Sequence, residues 1–328
     1  MSEMWNKIED KLDIENNIHS WDIYPHLCDT IIYSNPSHVT LDDINNKLNK
    51  DHIKEDGSLI FVKTDLFMNI HSARLMLIKL NELWQETGRK VNIMVHHSDY
   101  VFPDSKVEWH SWFDREEIEN IFAPQVDANH GFQTTKVHTI GAGFPYEWGG
   151  YYVLKPERIE WKKKSNTVVI PPGCNDRGMT PYGPVSPRTT WIPELREQLK
   201  PKSWVIGPYP DEYRIGEGGT NHFCRLLNAS KFQVCLPGCY GPHPNRFWES
   251  LLMYTVPIMR RECWLWKSGM EELCETHNLP CVWIDDWSEV NESLFDMEFD
   301  FSSIDKTLTM KYWRDFIYKT IGRSGVLV

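Results

Sequence analysis

Residues 231–262, KFQVCLPGCYGPHPNRFWESLLMYTVPIMRRE, leave a folding chain few choices. The apolar run 231–236 stops at Pro237-Gly238, which predicts a short buried strand. A loop rich in glycine and proline ends at Pro244, a residue suited to the first turn of a helix, where its missing N–H costs nothing. Phe247, Leu251 and Tyr254 then recur at the spacing of a core-facing helical stripe. Residues 255–259 are apolar and β-branched around Pro257 and read as the next strand. Strand, loop, amphipathic helix and strand in that order belong to an α/β chain.

Arg246 and Glu249 stand three residues apart near the start of that helix and so share a face. A helix N-terminus offers unpaired N–H groups and partial positive charge, which suits a diphosphate. Arg246 adds a cation, and Glu249, a turn further on, is placed to accept hydrogen bonds from ribose hydroxyls. The glycine-rich loop, then Asn245-Arg246-Phe247-Trp248-Glu249, then Val256-Pro257-Ile258, resembles the nucleotide-sugar site of exostosin-like glycosyltransferases with the GT-B fold. The pattern of that family is roughly R-x-W/Y-E-A-L, followed after a short gap by I/V-P-I/V. This chain departs from it at Ser250, where alanine is usual, and at Tyr254-Thr255, where Gly-Cys or a similar small pair is common. The plainer alternative is an Arg–Glu helix pair beside a buried strand, as any α/β domain carries.

Further along the chain the same alternation recurs. Residues 59–62 read as a strand that runs into Lys63-Thr64-Asp65, 72–86 as a helix ended by Gly88, and 91–95 as a strand that runs into His96-His97-Ser98-Asp99. That is a βαβ unit, hence a parallel sheet whose ligands gather at the carboxyl ends of its strands, where Asp65 and His97 to Asp99 fall. Residues 116–122 read as a helix, 124–127 as a short strand and 136–140 as another strand. The succession K-T-D, H-x-S-D, F-A-P-Q-x-D and K-V-H-T-I-G-x-G resembles the amino half of microbial and viral glycosyltransferases related to exostosins. Gly141-x-Gly143 lacks the third glycine and the following helix of a dinucleotide fingerprint, which weighs against a dehydrogenase. Residues 1–50 look peripheral, with a helix at 41–49 and no chemistry. The basic stretch 151–166 reads as an interdomain linker. Beyond it, strands at 167–170, 204–207 and 281–284 and helices at 193–199, 221–229, 270–277 and 306–321 complete a second unit.

The expected architecture is therefore α/β, two Rossmann-like domains facing each other across a cleft. Residues 1–155 would form the acceptor side and 156–305 the nucleotide-sugar side, and the resemblance implies that the terminal helix in 306–328 crosses back to the first domain. A length of 328 residues suits two domains, and 41% apolar with 25% charged residues are globular proportions. A formal net charge of -11 argues against nucleic-acid phosphates or an anionic membrane as the main partner. Eight cysteines without a C-x-x-C or Cys/His pairing argue against a structural zinc site. The charged N-terminus and the lack of any membrane-length apolar stretch lead to the expectation of free thiols in a cytoplasm. The fifteen tryptophans belong mostly to core and interfaces, although those in polar loops have the shape to stack on sugars.

Sugar transfer needs the departing nucleoside diphosphate stabilised, the acceptor hydroxyl deprotonated and water excluded. No Asp-x-Asp, the usual metal-holding motif of such enzymes, occurs; Asp285-Asp286 are adjacent. The pattern thus favours metal-independent chemistry with no cofactor. The donor side draws on Gly173, Arg177, His243, Asn245, Arg246, Glu249 and Ser250. Asp99 is the first choice for the base, ahead of Asp65 and His97, and a single base without an evident nucleophile implies inversion. The resemblance implies a nucleotide-sugar donor, UDP-linked and by analogy UDP-xylose, and an oligosaccharide or glycan acceptor. A non-catalytic glycan-binding protein on the same fold is the rival from another class.

Overall fold

The computed structural model describes residues 21–32, 41–63, 70–96, 115–124, 136–143, 158–171, 188–207, 219–236, 245–261 and 269–323. Among the described residues ten strands form two five-stranded sheets, and every pairing is parallel. Among the described residues no helix is long and apolar enough to cross a membrane.

The first sheet holds β1 (Thr30–Ile32), β2 (Ser58–Lys63), β3 (Val91–His96), β4 (Ile118–Ala123) and β5 (Val137–Thr139), side by side in chain order. Connections that always step the same way, with right-handed crossovers, put their helices on one face. Helices α1 (Leu41–Lys47) and α2 (Ile70–Thr87) accordingly share a core with one side of the sheet. Ala73, Met76, Leu77, Leu80 and Leu83 of α2 pack there with Ile60, Val62, Ile93, Val95, Ile121 and Ala123. Gly88, at φ +70°, turns the chain out of α2 and into β3. The alternate strand residues Leu59, Phe61, Met94 and Phe122 point the other way, as a period of two requires, and enter a different core.

Two expectations for this half are overturned. Residues 116–122 are not a helix: Ile118–Ala123 is a strand that pairs with β3 on one side and β5 on the other. Ile118, Ile121 and Phe122 have helical spacing, but a central parallel strand is buried on both faces, so its apolar residues need not alternate. Nor are the described residues of the first fifty, 21–32 and 41–50, peripheral. Trp21–Leu27 is a 3-10 helix whose Tyr24 is fully buried, and β1 is an edge strand of the sheet. The Tyr24 hydroxyl donates to the Gly141 carbonyl at 2.8 Å, and its ring lies 4.6 Å from that of His96.

The second sheet holds β6 (Ser165–Val169), β7 (Val205–Ile206), β8 (Ser230–Val234), β9 (Val256–Arg260) and β10 (Val282–Ile284), in the spatial order β10-β9-β8-β6-β7. Counted from β6, this is the 2-1-3-4-5 order of a doubly wound sheet. Helix α3 (Arg188–Leu199) covers one face through Trp191, Ile192, Leu195 and Leu199. The other face is covered by α4 (Gly219–Ala229), α5 (Asn245–Leu252) and α6 (Gly269–His277). The supposed linker is partly core: Trp161, in the turn before β6, is buried against Phe232, Phe299 and Phe301.

Instead of one helix, 306–321 contains α7 (Ile304–Thr307) and α8 (Met310–Thr320). Thr309 caps α8 by accepting from the Tyr312 N–H, which is why the chain restarts there. Helix α8 lays Trp313 and Ile317 into the core that also contains Leu59, Phe61, Met94 and Phe122 of the first sheet. At its far end the Tyr318 hydroxyl donates to the Leu27 carbonyl at 3.1 Å, and Arg323 pairs with Asp29.

Candidate functional site

In a doubly wound sheet the ligand crevice opens at the carboxyl ends of the two strands between which the order reverses. In the second sheet these are β6 and β8, and their register pairs Val168 with Phe232 and Val169 with Gln233. The chain leaves β6 through Ile170 and Pro171, toward Gly173 and Arg177, and leaves β8 through Cys235 and Leu236, toward His243. Gly173, Arg177 and His243 lie outside the described residues, as do Asp65, His97 and Asp99 of the first sheet. The strands that precede the latter three are described: Lys63 pairs with His96, so 64–65 and 97–99 depart from adjacent positions on one carboxyl edge.

Helix α5 begins at Asn245, directly after the loop that follows β8. Residues 247–252 are all buried, so the helix is enclosed along most of its length, and Arg246 in its first turn is part-exposed. Its C-terminus closes as a Schellman motif, in which Thr255 N–H donates to Ser250 O at 2.9 Å and Tyr254 N–H to Leu251 O at 3.0 Å. Tyr254 takes the left-handed conformation this closure needs, with φ at 54°. That is the position where the family pattern prefers a small pair with glycine.

Arg246, Glu249 and Ser250 are brought together as their spacing predicts. Arg246 Nη1 donates to Glu249 Oε2 at 2.5 Å, and the guanidinium lies 4.8 Å from the Phe223 ring of α4. Glu249 is only 4% exposed, so its charge depends on that arginine rather than on water. Nearby on α4, burial and then the Glu249 charge push the Cys224 thiol up to about 11, with Arg246 pulling the other way. Its surroundings therefore favour the protonated thiol at neutral pH. Asn245 opens the helix.

Beneath the helix lies a residue that the pattern reading passed over. Gln233 of β8 is fully buried, with Ser250 Oγ at 2.5 Å from its Oε1, and that same Oγ is 2.8 Å from the Arg246 carbonyl. Gln233 Nε2 has no partner among the described residues. The signal was present: a glutamine interrupts the apolar run KFQVCL. Among the described residues no group of three His, Cys, Asp or Glu side chains is arranged to hold a metal ion. No protein-family model matches this chain, and no curated protein matches it significantly.

Proposed function

We propose that this chain is a glycosyltransferase of the GT-B type, taking a sugar from a nucleotide-linked donor, UDP-linked in first instance, to a glycan hydroxyl. One observation carries the reading. The strand order reverses between β6 and β8, and the chain leaving β8 next forms a helix whose first turn bears the part-exposed Arg246. An anion at that place meets helix N–H groups, a helix dipole and a guanidinium together.

On this reading the pyrophosphate sits at the start of α5, and the negative charge that grows on it as the glycosidic bond breaks is held by the helix end and Arg246. A guanidinium carries five N–H donors, so one arginine can be oriented by Glu249 and still reach a phosphate oxygen. Glu249 then acts first as the group that aims Arg246, and in this scheme it also accepts from a ribose hydroxyl. The base comes from the carboxyl edge of the first sheet, with Asp99 ahead of Asp65 and His97. Attack by the deprotonated acceptor in a single displacement inverts the anomeric centre. This scheme needs no metal.

A thermal-shift panel of UDP, GDP and their sugars tests it. Binding at a hundred times the dissociation constant adds about 2.7 kcal/mol, several degrees in a protein of this size. The expected result is stabilisation by UDP and a UDP-sugar that persists in chelator. No shift with any nucleotide would overturn the proposal and favour a glycan-binding protein on the same fold.

A further inference from the structure

Two oxygens 2.5 Å apart need a proton between them, and a serine hydroxyl has one proton. Ser250 Oγ faces both Gln233 Oε1 and the Arg246 carbonyl, and it cannot donate to both. Turning the Gln233 amide over resolves the contest. Its Nε2 then donates to Ser250 Oγ, and Oγ donates to the Arg246 carbonyl, a complete run from β8 into the first turn of α5. Before the amide is turned over, Nε2 of this fully buried side chain has no partner among the described residues. A polar group left unpaired in the interior destabilises the fold, whereas an apolar side chain of the same shape does not.

We propose that Gln233 is a positioning residue for the ligand end of α5, acting through Ser250 on the carbonyl of Arg246. A serine that bonds back to the carbonyl four residues earlier bends its helix slightly. Gln233 fixes the direction of that bend relative to the sheet, and with it the aim of the first turn and of Arg246. The departure of Ser250 from the alanine of the family pattern follows: an alanine here would leave the buried amide with no partner on α5. The functional half of this inference rests on the diphosphate reading of that helix end.

The experiment compares wild type with Gln233→Met, Ser250→Ala and the double variant. It measures the thermal midpoint, hydrogen–deuterium exchange of the amides of 249–252, which bond to the carbonyls of the first turn of α5, referred to those of α4, and the dissociation constant for UDP. Ser250→Ala leaves the buried amide without its partner on α5 and lowers the midpoint; Gln233→Met leaves Ser250 its bond to the Arg246 carbonyl and lowers it less; the double variant holds no buried amide and recovers it. In the double variant the amides of 249–252 are expected to exchange about tenfold faster than in wild type and UDP to bind about tenfold more weakly, despite the recovered midpoint. If exchange and affinity recover together with the midpoint, the pair only packs, and the proposal is overturned. Because exchange is referred to α4, a double variant that stays destabilised also decides: loosening confined to the first turn supports the proposal, and uniform loosening overturns it. Wild-type protein that ignores UDP overturns the diphosphate reading instead, and the exchange arm then decides the positioning claim alone. Should neither Gln233 variant fold, Ser250→Ala, which removes a single oxygen, is judged by the same exchange ratio.

Discussion

Glu249 is a carboxylate in a buried position, and such a charge is tolerated because of its partner. The two members of the ion pair are therefore not equivalent. Arg246→Ala leaves the carboxylate buried without its counter-ion and is expected to cost about 3 kcal/mol by urea titration. Glu249→Gln keeps an acceptor for the arginine, whose side chain is 24% exposed, and is expected to cost less than half as much. Equal losses would mean that water already reaches Glu249. Tyr254 poses a different question. A left-handed tyrosine costs about 1 kcal/mol relative to glycine. Against this the hydroxyl donates to Asp305 at 2.9 Å, and Arg158 lies 4.5 Å from the ring while itself pairing with Asp305. Contacts at this exposure are each worth about 0.5–1 kcal/mol, so the gains and the strain nearly cancel. Tyr254→Gly should thus change the unfolding free energy by less than about 1 kcal/mol, whereas Tyr254→Ala, which keeps the strain and loses the contacts, should cost more than the glycine. The reverse order in a denaturation series would show that the backbone there is not strained.

At the scale of elements, the interface of α6 with α8 depends on His277. Its Nδ1 lies 2.7 Å from the Tyr312 hydroxyl, its ring packs on Tyr312, Trp313 and Phe316, and its Nε2 is buried without a partner among the described residues. Burial, helped by the Lys306 charge, lowers its pKa to about 4. The unfolded chain, with an ordinary histidine near 6.5, takes up the proton first as pH falls. Stability from this residue is therefore complete above about pH 6.5, declines between there and about 4, and levels off below. Between pH 7 and pH 5 the loss should be about 2 kcal/mol, and His277→Gln should remove most of that slope. An unchanged slope would place the acid sensitivity elsewhere. Most helices and strands could be read from the chain because each carried both a period and a stop signal, as 72–88 does with its apolar stripe and Gly88. Ile118–Ala123 could not, since a strand buried on both sides has no period to betray it. The candidate site divides in the same way. Arg246, Glu249 and Ser250 share one helix and follow from spacing, but the importance of Gln233 lies in a partner 17 positions away on another element, which no local pattern encodes.

For the whole molecule, the chain reads as two units joined by a linker, and the packing ties them at both ends. One core contains Phe61, Met94 and Phe122 from the first sheet, Phe247 and Trp248 from α5, and Trp313 and Ile317 from α8. Trp313 stands at its middle, fully buried, edge-on to Trp248 at 6.1 Å, with its indole N–H donating to the Thr307 carbonyl at 2.8 Å. The segment first judged peripheral completes the arrangement: Asp29 accepts from the Leu59 N–H at 2.7 Å and pairs with Arg323, 294 residues later. No periodicity announces such contacts, because their partners lie at opposite ends of the sequence. The Asp29–Arg323 pair is part-exposed and worth at most about 1 kcal/mol, so the shared apolar core must do the coupling. Two units that share one core cannot unfold separately without exposing it. Urea unfolding followed by tryptophan fluorescence and by far-ultraviolet circular dichroism should accordingly give one coincident transition. Trp313→Ala, a large-to-small change costing about 3–5 kcal/mol, should move both signals together to lower urea. Two separated transitions in wild type, or a Trp313→Ala variant that shifts only part of the dichroism, would show that the first sheet stands without the second and that the common core couples nothing.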